Sequence, residues 1–247
     1  MPVVFGAVRA FVLTLLLAAV SALTCASEAP RLGTLSYDIE WRLIHAGTAR
    51  IDLEGPKGTL KLDSAGLVSA LYKIDDSYAV QYDEGFCVTS SLLDGMEGKR
   101  HRRLQVTVDR ATNHASFVEQ DLLRGSNIGY GRIDVPNCVH DVLGAIHVLR
   151  GMNAAPGQTV QLPMSDGRHA ASVKVEAQER EDVVTPAGTF HTIRYEPGIM
   201  NGVIYPRKGR AFIWLTDDAK KTPVQIRLRL AFPIGTVTLQ LEKGLLP

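Results

Sequence analysis

A basic run in the middle of the chain, Lys99-Arg100-His101-Arg102-Arg103, has the clearest potential for chemistry in this sequence. It places four permanent positive charges directly before an alternating segment that predicts a strand, Leu104–Val108. Such a cluster could bind an anionic partner, for example a lipid headgroup, an envelope polysaccharide or a membrane surface, and Arg227 and Arg229 could extend it. The alternative is a solvated strand end that opposes edge-to-edge pairing. The candidate contacts for an anionic partner are Lys99, Arg100, Arg102 and Arg103.

Motifs for metal binding and catalysis are missing from the sequence. The seven histidines form no H-E-x-x-H motif, and His140 and His147, on one predicted helix, would lie about 10 Å apart, too far to share one metal. There is no G-x-S-x-G nucleophile elbow and no P-loop spacing around Gly95–Lys99. We therefore predict no catalytic residue, no metal ligand and no cofactor, although a hydrolase with a site built from scattered residues stays open.

Two pairs of adjacent carboxylates, Asp75-Asp76 and Asp217-Asp218, resemble the acid pairs that general acid–base catalysis uses. Both pairs lie beside turn-like sequence, where aspartate commonly accepts hydrogen bonds from backbone amides. We therefore interpret both pairs as structural.

The first 26 residues have the layout of a secretory signal peptide. Arg9 precedes an uncharged run, Ala10–Leu23, that is shorter than the roughly 20 residues needed to span a bilayer. Small residues favour cleavage after Ala26, or alternatively after Ala22. An uncleaved anchor and a lipoprotein acylated at Cys25 are the alternatives. We expect an exported, periplasmic protein without a transmembrane segment in its mature chain, residues 27–247.

If the protein is exported, its two remaining cysteines can form a disulfide. Cys87 and Cys138 are the two cysteines of the mature chain, and exported proteins meet an oxidising compartment. A disulfide between them would close a loop of about 50 residues, worth roughly 4 kcal/mol in the chain-entropy model. Two buried free thiols are the alternative. Cys87 and Cys138 are therefore a candidate disulfide.

Period-two alternation dominates the mature chain and predicts antiparallel strands that are buried on one face. It is clearest in Leu35–Leu43, Val224–Leu230 and Val237–Leu241. About ten such strands, separated by turns such as Thr185–Gly188, predict one mainly all-β domain. We expect a curved antiparallel sheet that forms a half-barrel or β-clam-like fold.

Two segments predict helices instead. Ser64–Ile74 could form a short helix capped by Ser64. Apolar residues at helical spacing between Val139 and Leu149 predict an amphipathic helix, with Asn137 as its cap and Gly151 at its end. A single amphipathic helix among strands must bury its apolar stripe against the sheet, so we expect the sheet to wrap around it.

Composition and charge exclude further classes. With 45% hydrophobic residues the chain is too apolar for a disordered protein. Without Arg9 it has 26 basic and 26 acidic residues, and no aromatic residues alternate with the basic run. We therefore expect no nucleic acid partner.

Six segments follow one another in a characteristic order: Leu35–Gly47, Leu67–Tyr82, Glu97–Asp109, Asn137–Arg150, Val184–Tyr195 and Gly209–Val224. Together they resemble the domain of unknown function family 3108 (DUF3108), a group of exported bacterial proteins. The resemblance implies export and a mostly β fold, and it supplies no catalytic residues because the family has no assigned activity. The last segment also resembles the β-clam proteins that ferry lipoproteins between bacterial membranes.

These patterns predict a non-enzymatic cell-envelope protein that binds an apolar or lipid-like ligand in the concave face of its sheet. The alternative is a structural or assembly factor that docks another envelope protein, and a hydrolase is a third hypothesis. The position of the predicted helix distinguishes the ligand-binding hypothesis from the docking hypothesis. An open apolar cavity favours ligand binding, whereas a helix that fills the concave face favours docking.

Overall fold

A computed structural model describes residues 33–200, 204–205, 208–231 and 234–242. The expected signal peptide, residues 1–26, and Cys25 lie outside these residues. The export signal and the domain boundary at residue 26 therefore stay predictions. Among the described residues, no helix has the length and apolar character needed to cross a bilayer.

In the described part of the chain, fourteen strands form one antiparallel sheet that does not close into a barrel. Its two arms meet at the centre, where β1 pairs with β14. One arm runs outward from β1 to β8 and the other from β14 to β9. The strands are β1 Gly33–Trp41, β2 Ile44–Glu54, β3 Lys57–Ser64, β4 Ile74–Asp83, β5 Cys87–Glu97, β6 Arg100–Asp109, β7 His114–Asp121, β8 Ser126–Asp134, β9 Thr159–Ser165, β10 Ala170–Thr185, β11 Gly188–Pro197, β12 Gly209–Thr216, β13 Pro223–Leu230 and β14 Thr236–Leu241.

The predicted mainly β fold is confirmed, and the alternation in sequence explains how it forms. Tyr37 pairs with Leu241 on one face of the sheet, and both side chains are buried. Their neighbours Asp38 and Gln240 pair on the opposite face, since successive strand residues point to opposite sides. We call the buried side the inner face and the other side the outer face.

The sequence does not predict three of the fourteen strands. β5 has no clean alternation in its Ser-Ser-Leu-Leu segment, β8 contains Gly129 and Gly131, and β9 contains Pro163. Glycine and proline are depleted in strands. These segments form strands because their neighbours in the sheet supply pairing that local sequence does not reveal.

The helix α2, Val142–Gly151, packs on the inner face between the two arms. Its Leu143 packs in a core cluster with Val106 and other residues of the first arm. Ile146 and Leu149 pack in a second cluster with residues of the other arm. Because both arms pack on one helix, the sheet must curve around it, as the sequence predicts.

The predicted start of this helix is wrong. α2 begins at Val142, and its cap is Asp141, whose Oδ1 accepts a 2.9 Å hydrogen bond from the Gly144 amide. Asn137 instead donates from Nδ2 to the backbone oxygen of Arg110. Val139 is buried, but it lies in an extended segment before the helix. The predicted end at Gly151 is confirmed.

The other predicted helix is also shorter than expected. α1 spans Gly66–Leu71, with Ala65 rather than Ser64 at its cap. Ser64 is the last residue of β3, and its Oγ accepts a 2.8 Å hydrogen bond from the Ile74 amide. Every side chain of α1 is at least partly exposed. Burial therefore contributes little to holding this helix in place.

Candidate functional site

Cys87 and Cys138 are joined by a disulfide in the structure, with their Cα atoms 4.9 Å apart. Cys87 is the first residue of β5, and Cys138 lies in the segment that links β8 to α2. A backbone hydrogen bond of 2.9 Å from the Val88 amide to the Val139 oxygen runs beside the disulfide. The bond and the disulfide together attach the segment before α2 to the sheet.

The same segment covers the edge of β9. His140 forms a parallel bridge with Met164. Its amide donates to the Pro163 oxygen at 2.9 Å, and its oxygen accepts from the Ser165 amide at 3.0 Å. The His140 ring is buried and donates from Nδ1 to the Phe86 oxygen at 2.8 Å. This histidine therefore has a structural role at the edge of the core.

Asp141 is a buried carboxyl group at the centre of the molecule. Besides capping α2, its Oδ1 accepts a 2.8 Å hydrogen bond from the Tyr82 hydroxyl. Burial raises the pKa of Asp141, and the bonds from the Gly144 amide and the Tyr82 hydroxyl oppose that rise. A cavity of about 10 Å³ beside it, lined also by Tyr78 and Ser165, has room for about one water molecule.

His147 and Arg150 attach α2 to loops on either side of it. The buried His147 ring stacks on Phe86 with ring centroids 3.6 Å apart. Its Nδ1 has no hydrogen-bond partner among the residues that the structure describes. Burial, together with the positive charge of Arg150, lowers the pKa of His147 to about 4. Arg150 donates to the backbone oxygens of Lys220 at 2.7 Å and Lys221 at 3.0 Å.

The polar groups around α2 therefore anchor the helix, and they do not form a recognisable reaction centre. Asp141 caps α2, Arg150 binds backbone oxygens and His140 binds a carbonyl oxygen. Across the described ranges, no group of three or more histidine, cysteine or carboxylate side chains is placed to hold a metal ion.

The side chains of the basic run are divided between the two faces of the sheet. Arg100 and Arg102 alternate with His101 and Arg103 along β6. On the outer face, Arg103 donates twice to Asp94, at 2.6 and 3.1 Å. These bonds lower the pKa of Asp94 below its usual range.

On the opposite face, Arg102 donates to Glu119 at 3.2 Å. Glu119 also accepts a 3.1 Å bond from Arg168 in the turn between β9 and β10. Lys99 and Arg100 are exposed and form no ion pair with the described residues. Arg102 and Arg103, in contrast, both donate hydrogen bonds to carboxylates.

Arg227 and Arg229 do not extend the basic run. They lie on β13, and six strands separate β13 from β6 in the sheet. The guanidinium of Arg227 lies 5.1 Å from the Trp214 ring centroid, and that of Arg229 lies 5.2 Å from the Phe212 ring centroid. Both rings are buried under these arginines, which therefore cover apolar surface on the outer face.

The two aspartate pairs occupy different settings. Asp218 accepts hydrogen bonds from the amides of Lys220 and Lys221, at 2.9 and 3.0 Å, as a turn aspartate does. Asp75 and Asp76 lie at the start of β4, directly after the β3–β4 connection. Asp75 pairs with Lys61 across the strands.

A line of exposed apolar residues crosses the outer face toward the unpaired edge of β8. Leu92, Gln105, Val118 and Tyr130 stand opposite one another on four neighbouring strands. Tyr130, on β8, is 81% exposed. Ile128 of the same strand is also exposed. We call Leu92, Val118, Ile128 and Tyr130 the β8 surface. The sequence does not predict the β8 surface, because β5 and β8 are not recognisable as strands from their sequence patterns.

The family described as "Protein of unknown function (DUF3108)" matches residues 36–242 of this chain. The chain belongs to the DUF3108 family. No curated protein matches the chain. The segments that carry the resemblance in the sequence all lie in or overlap the matched range.

Solved structures support the fold of this DUF3108 chain. A β-barrel-like protein of the DUF1849 family from Brucella abortus superposes with a TM-score of 0.57, at 9% identity, over 86% of this chain and 97% of that chain. At this identity the likeness concerns the fold alone.

Two looser matches are a candidate lipoprotein from Parabacteroides distasonis and a candidate exported protein with a YmcC-like fold from Bacteroides fragilis. The first has a TM-score of 0.32 at 10% identity and the second 0.31 at 11%. Each match covers 87% of this chain and 96% of the other chain. At these TM-scores neither match carries an argument about this chain.

Proposed function

We propose that this protein is an exported, non-enzymatic component of the cell envelope that docks an extended segment of another envelope protein along β8. The observation that carries the proposal is the β8 surface, where exposed apolar side chains lead to a strand edge that lacks a neighbour within the described residues. Such an edge can accept a further strand through its backbone amides and carbonyls. Side chains such as Tyr130 then give the pairing specificity.

The interior supports docking over ligand transport. A pocket for a drug-sized ligand typically has about 300–1,000 Å³. In this protein α2 lies on the inner face with seven buried residues, and the cavity beside Asp141 has about 10 Å³. A larger space of about 400 Å³, lined by residues between Met152 and Val160, follows the end of α2 and is open to solvent. An acyl chain on the concave face would have to displace α2. The apolar-ligand hypothesis therefore receives less support than docking does.

Export is supported by the layout of residues 1–26 and by the disulfide. Disulfides persist in oxidising compartments and are rare in the cytosol. The Cys87–Cys138 bridge therefore suits a protein that folds after export. We retain the periplasm as the proposed location.

Photocrosslinking in living cells tests the proposal directly. A photoreactive residue in place of Tyr130 should form an adduct with one envelope protein. The matched control replaces Val184, which is 71% exposed on β10 and outside the β8 surface, and should form no such adduct. Equal adducts at both positions, or none at Tyr130, would contradict docking at β8. A lipid retained by the folded protein in native mass spectrometry would favour the ligand hypothesis instead.

A further inference from the structure

Three connections meet at one end of the first arm: the β1–β2 turn, the β3–β4 connection that contains α1, and the β5–β6 turn. They meet there because antiparallel neighbours reverse direction at each strand end. The Ala65 amide donates to the Ala46 oxygen at 2.8 Å, which attaches the start of α1 to β2. The Gly98 amide donates to the Lys73 oxygen at 2.7 Å, which attaches the end of the connection to the β5–β6 turn.

The Tyr72 ring packs so closely on this last turn that a side chain at Gly98 would displace it. A Cβ atom on Gly98 would lie 2.7 Å from a carbon of the Tyr72 ring, well inside van der Waals contact. The three connections therefore form one continuous surface rather than separate loops.

Large apolar side chains on this surface point into solvent. Leu43 is 92% exposed and Leu71 is 81% exposed, and Ile44, Leu67 and Tyr72 are exposed as well. We call these five residues the α1 surface. Soluble proteins rarely gather large exposed apolar side chains in one patch unless the patch binds something.

The backbone of the β1–β2 turn also argues for a role other than folding. Arg42 and Leu43 both have positive φ angles, 50° and 68°. Two-residue turns with positive φ at both positions favour Asn-Gly, because other side chains are strained there. Leu43 therefore occupies a position that glycine would fill with less strain, and its side chain gains no burial in return.

Basic residues border the α1 surface. Lys73, Lys99 and Arg100 are exposed beside it. The Arg42 guanidinium lies 5.0 Å from the ring centroid of Trp41, which is itself partly exposed. Glu97, opposite Arg100 on β5, and Asp75, whose carboxylate interacts with Lys73, offset part of this positive charge.

This combination matches the chemistry of a bilayer surface with anionic phosphates. Aliphatic tips can enter the region between headgroups and acyl chains, and aromatic rings favour that same boundary. Basic side chains at the rim attract anionic headgroups, each contributing about 1 kcal/mol. A soluble polyanion would use the charges and leave Leu43, Leu67 and Leu71 in water, so a bilayer explains more of the surface.

We propose that the α1 surface binds peripherally to an anionic lipid bilayer. Leu43, Leu67 and Leu71 enter the boundary between headgroups and acyl chains, and Lys73, Lys99 and Arg100 contact lipid phosphates. The proposal goes beyond docking at β8 and uses a separate set of residues. Either proposal can fail without the other.

Trp41 supplies a reporter for the test. The sequence has two tryptophans, and a Trp214→Phe variant leaves Trp41 as the only one. Its fluorescence should shift to shorter wavelength when vesicles containing phosphatidylglycerol are added. Vesicles of phosphatidylcholine alone should give a much smaller shift, and added salt should weaken the binding.

Variants then locate the contact in vesicle cosedimentation. A triple change, Lys73→Ser, Lys99→Ser and Arg100→Ser, should lower partitioning into phosphatidylglycerol vesicles on the order of 100-fold. Leu43→Gly should lower it roughly tenfold, while its melting temperature stays the same or rises because the turn strain is relieved. Val184→Ser, an exposed apolar position elsewhere, should bind like the unaltered protein.

Several outcomes would overturn the proposal. The proposal would be wrong if the protein bound neither kind of vesicle. It would also be wrong if the protein bound vesicles of both compositions equally. Binding that the triple variant and Leu43→Gly leave unchanged would place the contact elsewhere. A protein partner captured at a photoreactive residue in place of Leu71, without vesicle binding, would assign the α1 surface to protein docking.

Discussion

The two outer strands of the sheet, β8 and β9, are protected to very different degrees from pairing with a further strand. β9 contains Pro163, which cannot donate a backbone hydrogen bond. It is also covered by the segment before α2, through the bonds of His140 to Pro163 and Ser165. β8 contains Arg132 and a register irregularity against β7 but no proline, and within the described residues no strand pairs with its outer side. One edge is closed by the chain itself and the other is open.

This difference is informative because open edges are a hazard. An unpaired strand edge with apolar side chains favours aggregation, and natural proteins usually blunt such edges. Here the chain covers β9 with a segment that a disulfide attaches to β5. That β8 keeps an open edge beside Ile128 and Tyr130 is consistent with a partner strand. The comparison also yields measurable expectations.

Removing the disulfide should have the largest effect and should weaken the protection of β9. In a Cys87→Ala, Cys138→Ala double variant the loop of about 50 residues is no longer closed, which should lower the free energy of unfolding by about 4 kcal/mol. Urea unfolding measures the loss, and hydrogen exchange should show faster exchange at β9 than at β4. Reduction of the unaltered protein is the matched control. A loss under 1 kcal/mol would show that other contacts hold the segment.

Acid should loosen α2 through His147, and with it the segment that covers β9. The pKa of His147 is lowered to about 4 in the folded state, whereas an unperturbed histidine has a pKa of about 6.5. As the pH falls from 7 to 4, the unfolded chain takes up the proton first. The free energy of unfolding should therefore fall by about 3 kcal/mol from this residue.

A His147→Phe variant keeps a ring for stacking on Phe86 and cannot take up a proton. Urea unfolding at pH 7 and pH 4 should show a smaller acid loss in this variant than in the unaltered protein. Taking the difference between the two proteins removes the contribution of Asp141, whose raised pKa acts in the opposite direction. Equal acid losses would show that His147 does not control the pH dependence.

Changes at the open edge should have the smallest effect on stability. Tyr130→Ser and Val118→Ser should each change the free energy of unfolding by less than about 0.5 kcal/mol, because exposed side chains contribute little to folding. Thermal unfolding measures this, with Val184→Ser as the control of equal exposure class. A loss above 1 kcal/mol would mean that the β8 surface supports the fold, and it would weaken the docking proposal.

The sequence predicts best those strands whose two faces differ most in polarity. β13 and β14 follow from the alternation of residues such as Ile226 and Arg227, because burial of one face fixes the pairing register. β8 and β9 escaped prediction because Gly129, Gly131 and Pro163 disfavour strands locally. Their pairing depends on neighbours that only the fold supplies.

The start of α2 and the basic run show two further limits. The apolar stripe fits a helix from Val139, yet Asp141 provides a better cap than Asn137 because it directly precedes the helical residues and reaches the Gly144 amide. An Asp directly before the first helical residue was the available signal. In the basic run, the number of charges alone does not reveal that neighbouring side chains of a strand point to opposite faces. Arg102 therefore binds Glu119 on one face, and Arg103 binds Asp94 on the other.

The pairing of β1 with β14 at the centre of the sheet constrains the order of folding. Gln240 and Glu40, joined by a 2.9 Å hydrogen bond, lie 200 residues apart in the chain. Neighbouring strands within each arm pair as local hairpins, but the two arms join only when the last strand is present. During synthesis, the outer side of β1 therefore stays unpaired until β14 emerges, so truncation before β14 would leave an aggregation-prone half-sheet.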